Sequence, residues 1–306
     1  MRSLFLAAFS IAVACAAPGP AGAKDAPQKS APELPSVTYE GKQPVVLRYG
    51  DISVSLDSEP GSRPASRVPT FKGTYQGRAI FSLRLEEGED DAPQTTARVV
   101  RLDAKTPLPQ VVMTVYTGGA HCCTVTRIAT PASAETWQIV DGQLLDGDQG
   151  YVFVDIDRDG ASELVSNDQN FLYGFACYAC SYPPTRIARL DGTQIIDVTG
   201  EPKYRGFLRK EVAAMETYAR KDRAQWHENG FLAGWVAAKS LIGEVDDAWR
   251  RMLASYDREA DWPLDECTTG APMDKCPPDK VRHLSFPQAL RKQLAAEGYP
   301  TPKNAR

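Results

Sequence analysis

The chain has 306 residues, of which 42% are hydrophobic and 24% charged, the proportions of an ordinary soluble globular protein with room for one large domain or two medium ones. Its formal net charge is -4, and no basic cluster exceeds a pair such as Arg250-Arg251. That balance argues against a nucleic-acid partner.

The N-terminus has the pattern of an export signal over residues 1–23. Arg2 supplies a charged start, Leu4 to Val13 an apolar core, and small residues follow. The apolar core is too short to span a bilayer, and no later stretch is long enough, so no membrane span is expected. Two processing readings stay open. Ala21-Gly22-Ala23 is a small-x-small site before Lys24, whereas Ala12-Val13-Ala14-Cys15 resembles a lipobox that would anchor the chain through Cys15. The expected location is periplasmic or secreted, with a membrane-anchored lipoprotein as the alternative. In either case six cysteines remain: Cys122, Cys123, Cys177, Cys180, Cys267 and Cys276. An even number in an oxidising compartment favours disulfides.

Residues 16–36 are rich in Ala, Pro, Gly and Ser, and 24–43 is expected to form a disordered linker. From 44 to 202 the pattern is that of a β domain. Strands are predicted at 45–49, 52–56, 79–85, 98–102, 111–116, 124–129, 136–140, 151–154, 163–166, 186–190 and 194–198, punctuated by turns such as Asp141-Gly142 and Asp191-Gly192. The segment 57–77, with many Pro, Ser and Gly, is expected to be a long loop. Short strands at this spacing suggest a sandwich or a propeller-like array.

After residue 203 the period changes. Leu208, Val212, Met215 and Ala219 follow helical spacing, and 231–242 and 245–256 read as two more helices separated by Gly243. Ser285 starts a last helix, with Pro287 in its first turn and Gly298 as its stop. The fold class is therefore mainly β with a C-terminal α-helical region over 203–306, read as a helical cover or a small domain.

The segment Asp155-Ile156-Asp157-Arg158-Asp159-Gly160-Ala161-Ser162-Glu163 carries the clearest chemistry. Carboxylates stand at loop positions 1, 3, 5 and 9, and a glycine at 6 lets the backbone fold back around a hard cation. The carbonyl of Ala161 would supply position 7. An EF-hand would need a Glu at position 12 and flanking helices, but position 12 is Ser166 and the flanks read as strands. The expectation is a Ca2+ loop in a β context, with Asp155, Asp157, Asp159, Ala161 and Glu163 as ligands. So many carboxylates at short range repel one another without a cation.

Thr117-Gly118-Gly119-Ala120-His121-Cys122-Cys123 is the second unusual segment. Structural disulfides are the favoured reading, and a zinc site with Cys177 and Cys180 is the rival. Cys177-Tyr178-Ala179-Cys180 lacks the strand-to-helix setting of a thiol-exchange motif. Cys267 and Cys276 are expected to pair. The other four can pair within each close set or across the two. His227 and His283 are expected in surface or capping roles. No GxSxG, P-loop or HExxH pattern occurs. The aromatic run Phe171, Tyr173, Phe175, Tyr178 and Tyr182 reads as core with one exposed edge, or as a ligand surface.

Residues 152–166 resemble the FG-GAP/VCBS class of repeats, which carry Asp-x-Asp-x-Asp-Gly calcium loops between strands. The stretch from Val111 to Thr199 is similar to a group of exported bacterial proteins with a Thr-Gly-Gly-Ala-His-Cys-Cys block. The resemblance implies calcium at Asp155, Asp157, Asp159, Ala161 and Glu163, and no enzyme activity. Only one complete loop is present, and a seven-bladed propeller does not fit into the β segment. The expected function is a non-enzymatic, calcium-binding module of the cell envelope, with an unknown protein or glycan ligand. The alternative is an envelope metal-dependent hydrolase with its site near His121 and the acidic loop.

Overall fold

The computed structural model describes residues 34–306 except 64–65, 86–93, 119–121, 134, 148–149 and 304–306. The signal segment with Cys15, the first half of the linker, and His121 lie outside the described residues.

Three antiparallel sheets form the β part. The first is a meander of β2 (Val45–Tyr49), β3 (Ile52–Pro60), β4 (Arg67–Tyr75) and β5 (Arg78–Arg84). The second has the order β1 (Ser36–Tyr39), β6 (Thr95–Val100), β7 (Gln110–Tyr116), β8 (Thr124–Pro131) and β9 (Trp137–Asp141). The third runs β10 (Val152–Val154), β11 (Glu163–Asn167), β12 (Thr185–Asp191) and β13 (Gln194–Asp197).

Side-chain alternation explains how the sheets stack. In β3, Ile52, Val54 and Leu56 are buried while Ser53 and Ser55 are only partly so. They share a core with Phe71 of β4 and with Ala97, Val111, Met113 and Val115 of the second sheet. The opposite face of that second sheet contributes Val112, Ile128 and Val140 to another core, with Leu164 and Leu190 of the third sheet. The second sheet thus has a neighbour on each face. This is why β7 reads as a continuous apolar run rather than an alternating one.

Two expectations need correction. Segment 57–77 is not a loop, because β3 and β4 pair along their whole length, from Ile52↔Tyr75 to Pro60↔Arg67. Its Ser and Pro content suggested turns, but pairing across the sheet outweighs weak strand propensity. Gly73 marks a register shift, and the Phe81 ring fills the space a Cβ would take there. The expected linker over 24–43 contains β1, which pairs with β6 through Ser36↔Arg98 to Tyr39↔Thr95. Tyr39 is buried in the first core, and that anchors the segment.

Four helices follow: α1 (Arg205–Lys221), α2 (Asn229–Leu241), α3 (Val245–Ser255) and α4 (Phe286–Ala296). Ser285 and Gln288 form a capping box at the start of α4. Between α3 and α4, β14 (Asp265–Cys267) and β15 (Val281–His283) make a small hairpin. Leu208 and Val212 of α1 share a core with Ile187 and Val198, so the helices lie on the outer face of the third sheet. The larger helical core contains Phe231, Leu232, Trp235, Val236, Val245, Trp249 and Met252, together with Phe171 and Phe175 from the β part. Ile242 joins the sheet-facing core instead. α2 is buried on nearly every side, and its Gly230 and Gly234 let the backbone of Cys180 and Tyr182 cross directly above it.

Candidate metal centre

The acidic loop connects β10 to β11, whose pairs run Val152↔Val165, Phe153↔Leu164 and Val154↔Glu163. The strands fix the two ends of the loop, and its own aspartates bend it. Asp155 Oδ2 accepts from Gly160 N at 3.1 Å, Asp157 Oδ1 from Asp159 N at 3.2 Å, and Asp159 Oδ1 from Ala161 N at 2.8 Å. Gly160, with φ of 90°, makes the sharp reversal, and Arg158 also takes a left-handed backbone with φ of 64°. The loop is tied to the residue that follows β6 by Ser162 N, which donates to Arg101 O at 2.7 Å.

This geometry brings carboxylate oxygens of Asp155, Asp157 and Asp159 within 4.8 Å of one another. One oxygen of each aspartate shapes the loop; Asp157 Oδ2 is taken by Lys203, and the second oxygens of Asp155 and Asp159 are left for a ligand. Asp155 Oδ1 is buried and has no hydrogen-bond partner among the described residues. A bare buried carboxylate oxygen is costly, and a hard cation is the partner that suits it. The donor set is all oxygen, so it fits calcium in kind.

Glu163 occupies a different position. Its side chain is buried outside the three-aspartate group, with Oε2 accepting from Ile156 N at 2.8 Å and Oε1 from Tyr204 Oη at 3.0 Å. Burial pushes its carboxyl up, while these two donors oppose the shift. Ala161 is buried at the turn, where its N–H holds Asp159. Tyr204, fully buried, has its hydroxyl pushed up to about 12, chiefly by burial.

Lys203 was not legible as part of this site. Its Nζ lies 2.6 Å from Asp157 Oδ2 and holds that carboxyl below the usual range. The pairing itself raises Lys203. Lys203 and Tyr204 belong to the 3-10 turn Pro202–Tyr204 that leads into α1, more than forty residues from their partners. No local pattern announces such pairs.

The cysteines are bonded as Cys122–Cys123, Cys177–Cys180 and Cys267–Cys276. The 267–276 pairing agrees with expectation, and the other four pair within each close set. Cys122 and Cys123 lie beside Asp146 rather than beside Cys177 and Cys180. Sulfurs bonded to each other offer no thiolate to a metal. His227 Nδ1 lies 2.8 Å from Ser255 O and His283 Nδ1 lies 2.9 Å from Asp265, both at exposed positions. In the aromatic run, Phe171 and Phe175 are core, whereas Tyr173 is 51% exposed and stacks on Tyr178 at 5.6 Å.

These features define a layered antiparallel β protein with a helical cover and one acidic hairpin loop. The chain belongs to the family of sll0997, a probable thylakoid lumen protein of Synechocystis, to which it is 35% identical over 257 residues, 83% of this chain and 75% of that protein. The family model of the sll0997 C-terminal domain matches residues 208–298, which include α2, α3 and α4 and most of α1. The chain is also 37% identical over 282 residues to the protein y4bJ of Sinorhizobium fredii. That match covers 92% of this chain but spans only 44% of the length of y4bJ. No solved structure matches the chain. Among the described residues, no helix is long and apolar enough to cross a membrane.

Proposed function

We propose that the chain is an exported, non-enzymatic protein of the cell envelope, in which a calcium ion at the acidic loop stabilises the β part. It acts as a binding or structural module. Of the five expected ligands, Asp155, Asp157, Asp159 and the Ala161 carbonyl would hold the ion, whose positive charge neutralises the loop's carboxylates, while Glu163, its oxygens engaged by Ile156 N and Tyr204, would brace the loop from outside. The observation that carries this reading is the convergence of three aspartates beside a buried, unpartnered oxygen of Asp155. The location draws support from the sll0997 relative, described as a probable lumen protein, from the signal-like N-terminus and from three disulfides.

Two contacts support a stabilising role for the loop over a catalytic one. The loop closes a hairpin whose strands face the second sheet, and Glu163 ties it to the turn before α1. A cation there would stiffen the junction between sheet and helices. Calorimetric titration of calcium into chelator-treated protein tests the reading. One binding event is expected, with magnesium weaker because it demands stricter octahedral geometry. No heat and no change in stability with calcium would contradict it.

A further inference from the structure

A cavity of about 610 Å³ opens on the third sheet, away from the acidic loop. Its floor comes from β11, β12 and β13, and its walls from the β9–β10 connection, the turn at Asp168–Asn170 and the C-terminal end of α4. The volume is that of an ordinary small-ligand site.

A buried ion pair stands in its wall. Arg186 donates to Asp168 Oδ2 through Nε at 3.1 Å and Nη2 at 2.9 Å, and through Nη1 to Asp197 Oδ2 at 3.3 Å. Nη2 also reaches Glu297 O at 3.0 Å, and the guanidinium lies 4.3 Å over the Tyr299 ring. Asp168 is 4% exposed, and its Oδ1 accepts from Asn170 N while Oδ2 also receives the Tyr299 hydroxyl at 2.8 Å. The oxygens of Asp197 are taken by Arg186 and by Thr199 N.

The charges of Arg186, Asp168 and Asp197 are therefore consumed by one another. No cationic donor is left for an anion, and Asp168 and Asp197 have no bare oxygen for a cation. Apart from the Glu297 carboxylate at the end of α4, what remains is neutral. The side chains of Gln143, Ser166, Asn167 and Asn170 line the cavity, and among the described residues none of the four has a hydrogen-bond partner. Amides and a hydroxyl offer paired donors and acceptors, which match the vicinal hydroxyls of a sugar. Leu144, 59% exposed at the cavity, and Ile195 add apolar surface for the C–H face of a sugar ring.

We infer that this cavity binds a neutral saccharide, with the Asp168–Arg186–Tyr299 network as its rigid wall and the side-chain amides as its reading groups. The inference rests on the reading of the chain as a binding module and is independent of the cation.

The test is saturation-transfer NMR on the full mature protein, with a panel of maltose, cellobiose, trehalose and N,N′-diacetylchitobiose at millimolar concentration. Glucosamine and glucuronate serve as charged counterparts. At least one neutral disaccharide should show transfer, and its affinity should fall tenfold or more in Gln143→Ala/Asn170→Ala. Both substituted side chains are exposed, and the variant's melting temperature reports on its fold. Should it melt early, Ser166→Trp, which fills the cavity from the sheet, gives the second reading and should abolish transfer. Binding that neither variant weakens would overturn the cavity assignment while leaving the binding module standing. Silence across the neutral panel, or tighter binding of a charged sugar, would overturn the inference itself.

Discussion

The hydroxyl of Tyr204 donates to Glu163 Oε1 over 3.0 Å, joining the end of the acidic loop to the turn that launches α1. Both residues are buried, so the bond is shielded from water and from exchange with it. Lys203 makes a parallel link to Asp157 one residue earlier. Through these two bonds the β part and the helices share the loop.

Tyr204→Phe keeps the ring and removes only that donor. It leaves a buried carboxylate oxygen short of a partner, which costs about 1–3 kcal/mol. Urea denaturation should show a lower midpoint with an unchanged slope. An unaltered midpoint would mean that the hydroxyl contributes nothing to stability.

Gly234 and Gly206 make a matched pair. Both are helical, yet a Cβ at Gly234 would strike the Tyr182 carbonyl, whereas a Cβ at Gly206 meets nothing within 4 Å. Alanine is the better helix former by about 1 kcal/mol. Gly206→Ala should therefore stabilise by up to that amount. At Gly234 overpacking of about 1–3 kcal/mol outweighs the gain, and Gly234→Ala should melt earlier. Equal effects at the two positions would contradict the crossing of the 180–182 segment over α2.

Glu266 predicts the acid limb of stability. Lys292 and Arg282 both donate to its carboxylate and hold it below the ordinary value of 4.5. The folded state thus favours the ionised form. Its contribution is complete above 4.5 and is lost as pH falls through the lower folded value. Melting temperatures across the acid range should fall less steeply in Glu266→Gln than in the parent. Superimposable acid limbs would rule the ion pairs out as a source of acid sensitivity.

Residues 203–306 should not fold alone. Leu208 and Val212 need Ile187 of the third sheet and Val198 just beyond it, and the larger helical core needs Phe171 and Phe175. We expect the fragment to lack a cooperative melt, which would make the helices a cover for the β part. In the full chain Trp249→Ala should cost about 3–5 kcal/mol, because Trp249 is 2% exposed within that core. A sharp, cooperative transition in the isolated fragment would establish an independent domain instead.

Much of the fold was legible because its signals are local. Period-two burial in β3 and the helical spacing of Leu208, Val212 and Ala219 each follow from side chains a few positions apart. The strands at 57–60 and 67–75 were not legible, since their Ser, Pro and Gly content suits a turn until the partner strand is known. In the acidic loop, the convergence of Asp155, Asp157 and Asp159 follows from alternation plus one glycine. The placement of Glu163 on Tyr204 does not, because that contact is set by how α1 docks. The Asp168–Tyr299 bond joins residues 131 apart and is a property of the assembled chain alone.

The central claim is most directly tested by the melting temperature of the mature protein in calcium and in chelator. The parent is compared with Asp155→Asn/Asp157→Asn, which keeps the side-chain oxygens that bend the loop and removes two of its charges. A cation bound only by the folded state adds about 2.7 kcal/mol at a hundredfold excess over Kd. The parent should therefore melt several degrees higher in calcium than in chelator, and the double variant should melt at the same temperature in both. A parent whose melting temperature is identical in calcium and in chelator would contradict the account.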